Sequence, residues 1–306
     1  MEGTLFRYGP AAANVAFLSG RHPRHVVLVG GLTDGLLFAP YVRPLAAKLE
    51  ERRWALVQTL LSSSHTGYGC ASLDQDAEEL HRLACHLRAE YGSQGMVIVG
   101  HSTGCQDAVR YAQRHRSSPS SSGGSGSSQP GSTPQQAGAA AAAAAPDAAT
   151  LLGVVLQAPV SDVEFLSLLP GTAERIERAA AMAAAGQGEE IAFRATDIDG
   201  APMTARRWLS LACPGGDDDM FSSSLSDEQL AAIFGPLRGL PSLLLLSGAD
   251  QYVPPGVDYP AVGRRLAQAI GPSAQLQTVE GALHAMDGKE EEGAAAIADF
   301  VAALLP

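Results

Sequence analysis

Short apolar runs alternate with helical segments through the first third of the chain, and this alternation is the strongest constraint on its fold. His25-Val-Val-Leu-Val-Gly30, Trp54 to Leu60 and Gly95-Met-Val-Ile-Val-Gly100 read as strands buried on both faces. Between and after them, Phe38 to Arg52 carries Leu45 and Leu49 at helical spacing. Ser72-Leu-Asp-Gln75 reads as a capping box that opens a helix with Leu80, Leu83 and Leu87 on one face. A further helix is predicted from Thr103 to about Arg116. Strand and helix in strict alternation predict an α/β chain with a mostly parallel central sheet and helices on both of its faces.

The pattern then breaks. From Ser117 to about Asp147 the chain is Ser, Gly, Pro, Gln and Ala with almost no charge and no large apolar group. Such a segment buries too little surface to offset its ordering entropy, so 117–147 is predicted to be a disordered surface insertion. A strand resumes at Leu151-Leu-Gly-Val-Val-Leu-Gln-Ala158. Pro159 to Leu240 shows helical patches and no clear strand, with a second capping box at Ser226-Asp-Glu-Gln229. The alternation returns with Ser242-Leu-Leu-Leu-Leu-Ser247, a helix near Ala261–Ile270, a strand near Gln275–Val279 and a last helix from Glu290 to Leu305. The expected organisation is a core in two parts, 1–160 and 241–306. A helical cap at 161–240 lies over the carboxyl edge of the sheet, where open α/β sheets place their ligands.

Gly100-His-Ser-Thr-Gly104 follows a buried strand directly and precedes a helix directly. That is the setting of a nucleophile elbow, a turn so tight that only glycine fits at its flanks and the serine oxygen is left exposed. Ser102 is therefore the candidate nucleophile. It needs a base and an acid to orient that base, and the chain offers both just past later strand ends: Asp250 in Ser247-Gly-Ala-Asp-Gln-Tyr-Val-Pro254 and His284 in Glu280-Gly-Ala-Leu-His284. Asp258 and Asp287 are the rival acids; His65 and His101 are the rival bases. His101 adjoins the nucleophile on a tight turn, so its side chain is expected to point elsewhere. The backbone N–H of Thr103 and that of Leu32, in the loop Val29-Gly-Gly-Leu-Thr-Asp-Gly35, are the expected oxyanion donors. Gly30-Gly31 matches neither a dinucleotide fingerprint nor a phosphate loop. Asp217-Asp-Asp219 reads as a solvated turn, since three consecutive carboxylates diverge.

Composition narrows the remaining classes. The formal net charge of −11 disfavours nucleic acid and anionic membrane surfaces as partners. No apolar run is long enough for a membrane span, and the N-terminus does not read as a secretory signal. Cys70, Cys85, Cys105 and Cys213 are scattered without metal-ligand spacing, which predicts reduced thiols, a cytoplasmic location and no metal or organic cofactor.

Several stretches together resemble a known family. Val29-Gly-Gly-Leu-Thr-Asp-Gly35, Leu73-Asp-Gln-Asp-Ala-Glu-Glu-Leu80, Gly100-His-Ser-Thr-Gly-Cys-Gln-Asp107, Ala205-Arg-Arg-Trp-Leu-Ser-Leu211 and Asp218-Asp-Met-Phe-Ser-Ser-Ser-Leu225 look like DUF1749, within the α/β-hydrolase superfamily. The resemblance implies the α/β-hydrolase fold, a cap, and a Ser–Asp–His hydrolase whose positions fall on Ser102, Asp250 and His284. Some fungal members are similar to siderophore ester hydrolases, which implies ester chemistry and a small-molecule ester substrate. The insertion after the elbow helix and Ser224, where the family implies an acidic residue, depart from its pattern. A carboxylic-ester hydrolase is thus the leading expectation. An amide or thioester hydrolase, an acyltransferase and a non-catalytic small-ligand binding protein on the same scaffold are the alternatives.

Overall fold

A computed structural model describes residues 1–116, 147–196 and 198–304. Apart from Asp147, the insertion expected at 117–147 lies outside the described residues.

The first strands are β1 (Thr4–Arg7), β2 (Val15–Ser19) and β3 (Arg24–Val29), followed by α1 (Val42–Glu51), β4 (Ala55–Thr59), α2 (Leu73–Tyr91), β5 (Gly95–His101), α3 (Gly104–His115) and β6 (Leu151–Gln157). The insert before the next core strand holds α4 (Asp162–Leu166), α5 (Thr172–Ala184), β7 (Ile191–Ala195), β8 (Ala201–Thr204), α6 (Ala205–Ala212) and α7 (Asp227–Phe234). The chain closes with β9 (Ser242–Ser247), α8 (Tyr259–Ile270), β10 (Ala274–Val279) and α9 (Glu290–Ala303).

Eight strands form one sheet in the order β1-β2-β4-β3-β5-β6-β9-β10. From β4 to β10 every neighbouring pair is parallel; β1 and β2 are added antiparallel at one edge. That edge hairpin departs from the expected pattern, because its residues are mostly half-exposed and lack a strong apolar run. The strand order reverses between β3 and β5. The chain runs from β3 to β4 on one side, then returns to place β5 on the other. The crevice outside a parallel sheet at such a switch point is its natural ligand site.

Alternate residues of each strand feed two cores. Val27, Val29, Ile98, Val154, Leu156 and Leu244 pack under α2, α3 and α8. Val26, Leu28, Val97, Val99, Val155 and Leu243 pack under α1 and α9. Each fully buried Leu or Val contributes about 1.5–3 kcal/mol by leaving water, which is why these strands read as unbroken apolar runs.

Two helix starts differ from expectation for local reasons. α1 begins at Val42 rather than near Phe38. Pro44 has no N–H to donate, so it is tolerated only in the first turn. At α2, Ser72 caps through the Gln75 N–H, but the Gln75 side chain donates to Glu79 instead of closing the box. The box at Ser226 is complete, with Gln229 returning its bond to the Ser226 N–H.

The insert is not wholly helical. β7 and β8 form an antiparallel hairpin that the pattern did not reveal. Its strands are short and part-exposed, and the helix α6 continues directly from β8. With Trp208, Leu211, Ala179 and Leu166, the hairpin forms a small separate core that includes Tyr68 and leans on Leu32. Leu230, Phe234 and Leu237 instead join the sheet's own core, beside α8.

Candidate active site

Ser102 opens the two-residue turn between β5 and α3 at φ +53°, in the left-handed region that β-carbon sterics penalise. Such a conformation costs about 1–3 kcal/mol and persists only where the surroundings enforce it. They do so here by contact. A Cβ on Gly100 would lie 2.2 Å from the Gly104 oxygen, and one on Gly104 would lie 2.5 Å from the Val29 oxygen. Both flanks must be glycine for β5, α3 and the end of β3 to come this close. The Ser102 N–H donates to the Gln157 carbonyl at 3.0 Å, fixing the turn to the neighbouring strand. Cys105 lies buried beneath, its Sγ against the carbonyls of Gly100 and Gln157.

Asp250 and His284 emerge just past the carboxyl ends of β9 and β10, which are adjacent and parallel. Their side chains meet: His284 Nδ1 lies 2.7 Å from Asp250 Oδ2. An ionised carboxylate can only accept, so Nδ1 carries the proton and Nε2 is left as the basic nitrogen. The other Asp250 oxygen accepts the Tyr252 N–H at 3.0 Å, and the Asp250 side chain is wholly buried. His284 is held further by its own N–H donating to Gln251 Oε1 at 3.0 Å, and Tyr252 stands edge-on to its ring at 4.6 Å.

Ser102 and His284 line one cavity of about 490 Å³. Among the described residues no hydrogen bond joins them directly; catalytic bonds of this kind often tighten only when substrate is bound. One wall is apolar, from Val160, Phe165, Leu166 and Leu169, and the other carries Asp34 and Asp287.

The rivals take other places. Asp258 caps α8 by accepting the Ala261 N–H. Asp287 lines the cavity, and among the described residues no hydrogen bond or ion pair joins it to a histidine. His65 is exposed in the loop after β4. His101 does not point away as expected: its ring lines the cavity, stacks on Phe38 and tilts against His284 at 4.8 Å. The left-handed turn at Ser102 redirects only the backbone beyond His101, so the His101 side chain keeps its strand direction into the same crevice. Its Nδ1 donates to Gln157 Oε1, and burial together with the nearby His284 pushes its pKa down to about 3. It is neutral and cannot gain a proton near neutral pH.

Gln157 is the residue that sequence reasoning missed. It ends β6, between β5 and β9, and is fully buried. Its carbonyl accepts from Ser102, its Oε1 from His101, and its Nε2 donates to the His284 carbonyl at 2.9 Å and to Ser247 Oγ at 3.3 Å. The available signal was a polar amide closing an otherwise apolar strand.

Leu32 and Thr103, the expected oxyanion donors, come from two different segments. The first stands in the loop after β3, and the second precedes α3 as its N-cap residue. Neither backbone N–H has a protein acceptor among the described residues. The positive end of α3 adds to the field there.

Asp217–Asp219 is not a solvated turn. Asp217 is exposed, but Asp218 is fully buried against Arg207 and Ser210 Oγ, and Asp219 accepts from Gly215 N–H and Ser222 Oγ. Arg207 also donates to the Tyr68 carbonyl at 2.8 Å. A guanidinium carried inward on α6 needs a buried anion, and Asp218 provides it. Nearby, burial raises the carboxyls of Asp76 and Asp162 to about 7 and pushes that of Asp107 well above its ordinary value. Among the described residues, no group of three or more His, Cys, Asp or Glu could hold a metal ion. No helix among them is long and apolar enough to cross a membrane.

Comparison with known proteins bears on both fold and family. The family model DUF1749, described as a protein of unknown function, matches residues 2–305. The chain belongs to this family. Among relatives of this DUF1749 chain is a fusarinine C esterase of Aspergillus fumigatus, 32% identical over 280 residues that span 78% of this chain and 74% of the relative. Another is an esterase of Emericella nidulans, 30% identical over 318 residues, covering 88% and 82% of the two chains. The solved siderophore hydrolase EstB from Aspergillus fumigatus matches with a TM-score of 0.73 at 26% identity, over 99% of this chain and 98% of that one. The DUF1749 chain thus has the α/β-hydrolase fold.

Proposed function

We propose that this chain is a carboxylic-ester hydrolase that works through an acyl-enzyme on Ser102. The observation that carries the reading is the His284–Asp250 hydrogen bond, which leaves His284 Nε2 as a base in the cavity that Ser102 lines. The esterase names of two relatives support the same chemistry.

In this reading His284 Nε2 takes the Ser102 hydroxyl proton as Oγ attacks the ester carbonyl. The carbonyl oxygen becomes an oxyanion held by the N–H groups of Leu32 and Thr103. The C–O bond to the alcohol breaks, and His284 returns the proton to the departing oxygen. Water then attacks the acyl-enzyme by the same route, releasing the carboxylic acid and restoring Ser102. Asp250 holds the Nδ1–H tautomer and stabilises the imidazolium in each half.

Residues 161–240 act as a cap, part helical and part hairpin. Phe165, Leu166 and Leu169 present an apolar wall to the acyl or alcohol part of a small-molecule ester. The cytoplasm is the proposed location, a reducing compartment suited to a buried thiol such as Cys105.

The test is a p-nitrophenyl ester assay with fluorophosphonate labelling and mass spectrometry. A burst and a label on Ser102, both abolished in Ser102→Ala, are expected. A wild-type protein that gives neither is a binding protein on a hydrolase scaffold, and the esterase reading fails.

A further inference from the structure

Asp34 belongs neither to the elbow nor to the acid–base pair, yet it closes the loop on which the oxyanion donor depends. Its Oδ2 accepts the Gly31 N–H at 2.7 Å, and its own N–H donates to the Gly31 carbonyl at 3.2 Å. The two bonds lock the turn Gly31–Asp34 at both ends, around Thr33 at φ +69°.

There is no slack on either side of that turn. A Cβ on Gly31 would lie 2.6 Å from Ser102 Cβ and 3.1 Å from its Oγ. A Cβ on Gly30 would lie 2.6 Å from Asp34 Cβ. The loop backbone is therefore pressed against the nucleophile at Gly31 and against the Asp34 side chain at Gly30. Asp34 takes up the Gly31 N–H, and the next N–H along, that of Leu32, has no protein acceptor among the described residues.

We propose that Asp34 is a positioning residue for the oxyanion hole: its carboxylate oxygen clamps Gly31, and the clamp holds the Leu32 N–H in place beside Ser102. This rests on the reading of Ser102 as the nucleophile. A second role for the same group is distinguishable. Asp34 Oδ2 lies 3.9 Å from His101 Nε2; burial raises its carboxyl above the ordinary value, and the Gly31 N–H, His284 and His65 offset part of that rise. If the charge were what mattered, Asp34 would act by stabilising the imidazolium on His284. The clamp needs an acceptor at one place; the field needs a negative charge.

Asp34→Asn and Asp34→Glu separate the two. Asn keeps an oxygen at the same distance and loses the charge. Glu keeps the charge and carries its oxygens one methylene further. The clamp predicts that Asn retains kcat within about 5-fold, whereas Glu lowers kcat by about 100-fold, the cost of a lost oxyanion donor, with KM within about 3-fold. A trifluoromethyl ketone, which forms a hemiketal oxyanion on the serine, should lose affinity in Asp34→Glu in step with kcat/KM. The corresponding unreactive alcohol should bind equally to all three proteins. The reverse order, Glu active and Asn impaired, assigns the charge role and overturns the proposal. So does retention by both variants, or a parallel loss of alcohol and ketone binding. A wild-type enzyme without burst or label would instead sink the esterase reading itself.

Discussion

Replacing Gly104 by alanine tests whether the glycine flanks of the elbow set catalytic geometry as well as permit the fold. The new Cβ would stand 2.5 Å from the Val29 oxygen and 2.6 Å from the Gly30 oxygen. Carbon and carbonyl oxygen approach no closer than about 3.3 Å in ordinary contacts, so a gap of about 0.8 Å must open. α3 cannot supply it readily: Cys105, Ala108, Val109 and Ala112 are fully buried against the sheet. Gly30 lies outside the strands and begins the loop that carries Leu32, so the displacement passes into that loop. A shift of about 1 Å in a positioning group can lower a rate by about 100-fold.

The expected result for Gly104→Ala is therefore a fall in kcat of about 100-fold with KM within about 3-fold, measured on a p-nitrophenyl ester. Overpacking of this kind also costs about 1–3 kcal/mol of stability, a loss of several degrees in Tm. Gly235→Ala is the control, since nothing lies within 4 Å of its added Cβ and its φ is ordinary. It should leave both quantities unchanged. If Gly104→Ala keeps kcat within about 3-fold while Tm falls, the strain is absorbed away from the loop and the argument linking flank to donor is wrong.

Asp250→Asn places an amide against His284 Nδ1 and favours the wrong tautomer; kcat should fall by about 10⁴-fold with Tm little changed, and a smaller loss would point to a substitute acid such as Asp287. Gln157→Leu leaves the His101 Nδ1–H buried without an acceptor and releases the His284 carbonyl, so a destabilisation of about 1–3 kcal/mol in urea unfolding and a slower kcat are expected together. Burial raises the Asp162 carboxyl to about 7, against about 3.9 in an unfolded chain, so the folded state binds more protons between those values. Its contribution to stability is full below about pH 4, declines as pH rises to about 7 and is level above. Asp162→Asn should match wild type in Tm near pH 4 and exceed it at pH 8, with some slope remaining because Asp76 is raised in the same direction; equal Tm values at pH 8 would refute this.

The features legible in the sequence arise from local physics. The strands β3, β5, β6 and β9 are unbroken apolar runs because both faces of a parallel sheet are covered, and a run of that kind has few alternatives. The elbow is legible because its pentapeptide directly follows a buried strand and precedes a helix; only Gly100 is demanded locally, by Gly104 and Cys105, whereas Gly104 is demanded by Val29 and Gly30 at the end of β3. Asp250 and His284 can be placed at strand ends from the alternation alone, although their contact depends on β9 and β10 being neighbours. The β1–β2 and β7–β8 hairpins are not legible, since each buries one weak face and has no periodicity that rises above its surroundings. Asp218 is misread for a related reason. Three adjacent carboxylates look solvated until Arg207, 11 residues earlier, is seen to be buried beside one of them.

Gln157 shows where reading along the chain stops and the fold begins to act. In the proposed triad Ser102 follows β5, Asp250 follows β9 and His284 follows β10. In the sheet, β6 lies between β5 and β9, so the residue at its carboxyl end is the one position from which a single side chain reaches both sides. An apolar residue there would satisfy the core. It would leave the elbow and the histidine loop to be placed independently by their own strands, with small errors in each adding up at the reacting atoms. An amide offers an acceptor and a donor on one rigid plane, directed to His101 on one side and to the His284 carbonyl on the other. Its backbone carbonyl meanwhile holds the Ser102 N–H. Register between nucleophile and base is thus carried by one buried group whose hydrogen bonds are costly to leave unmade. The strain at Ser102 can then be held without the Ser102–His284 bond itself, which is left for the substrate complex to complete.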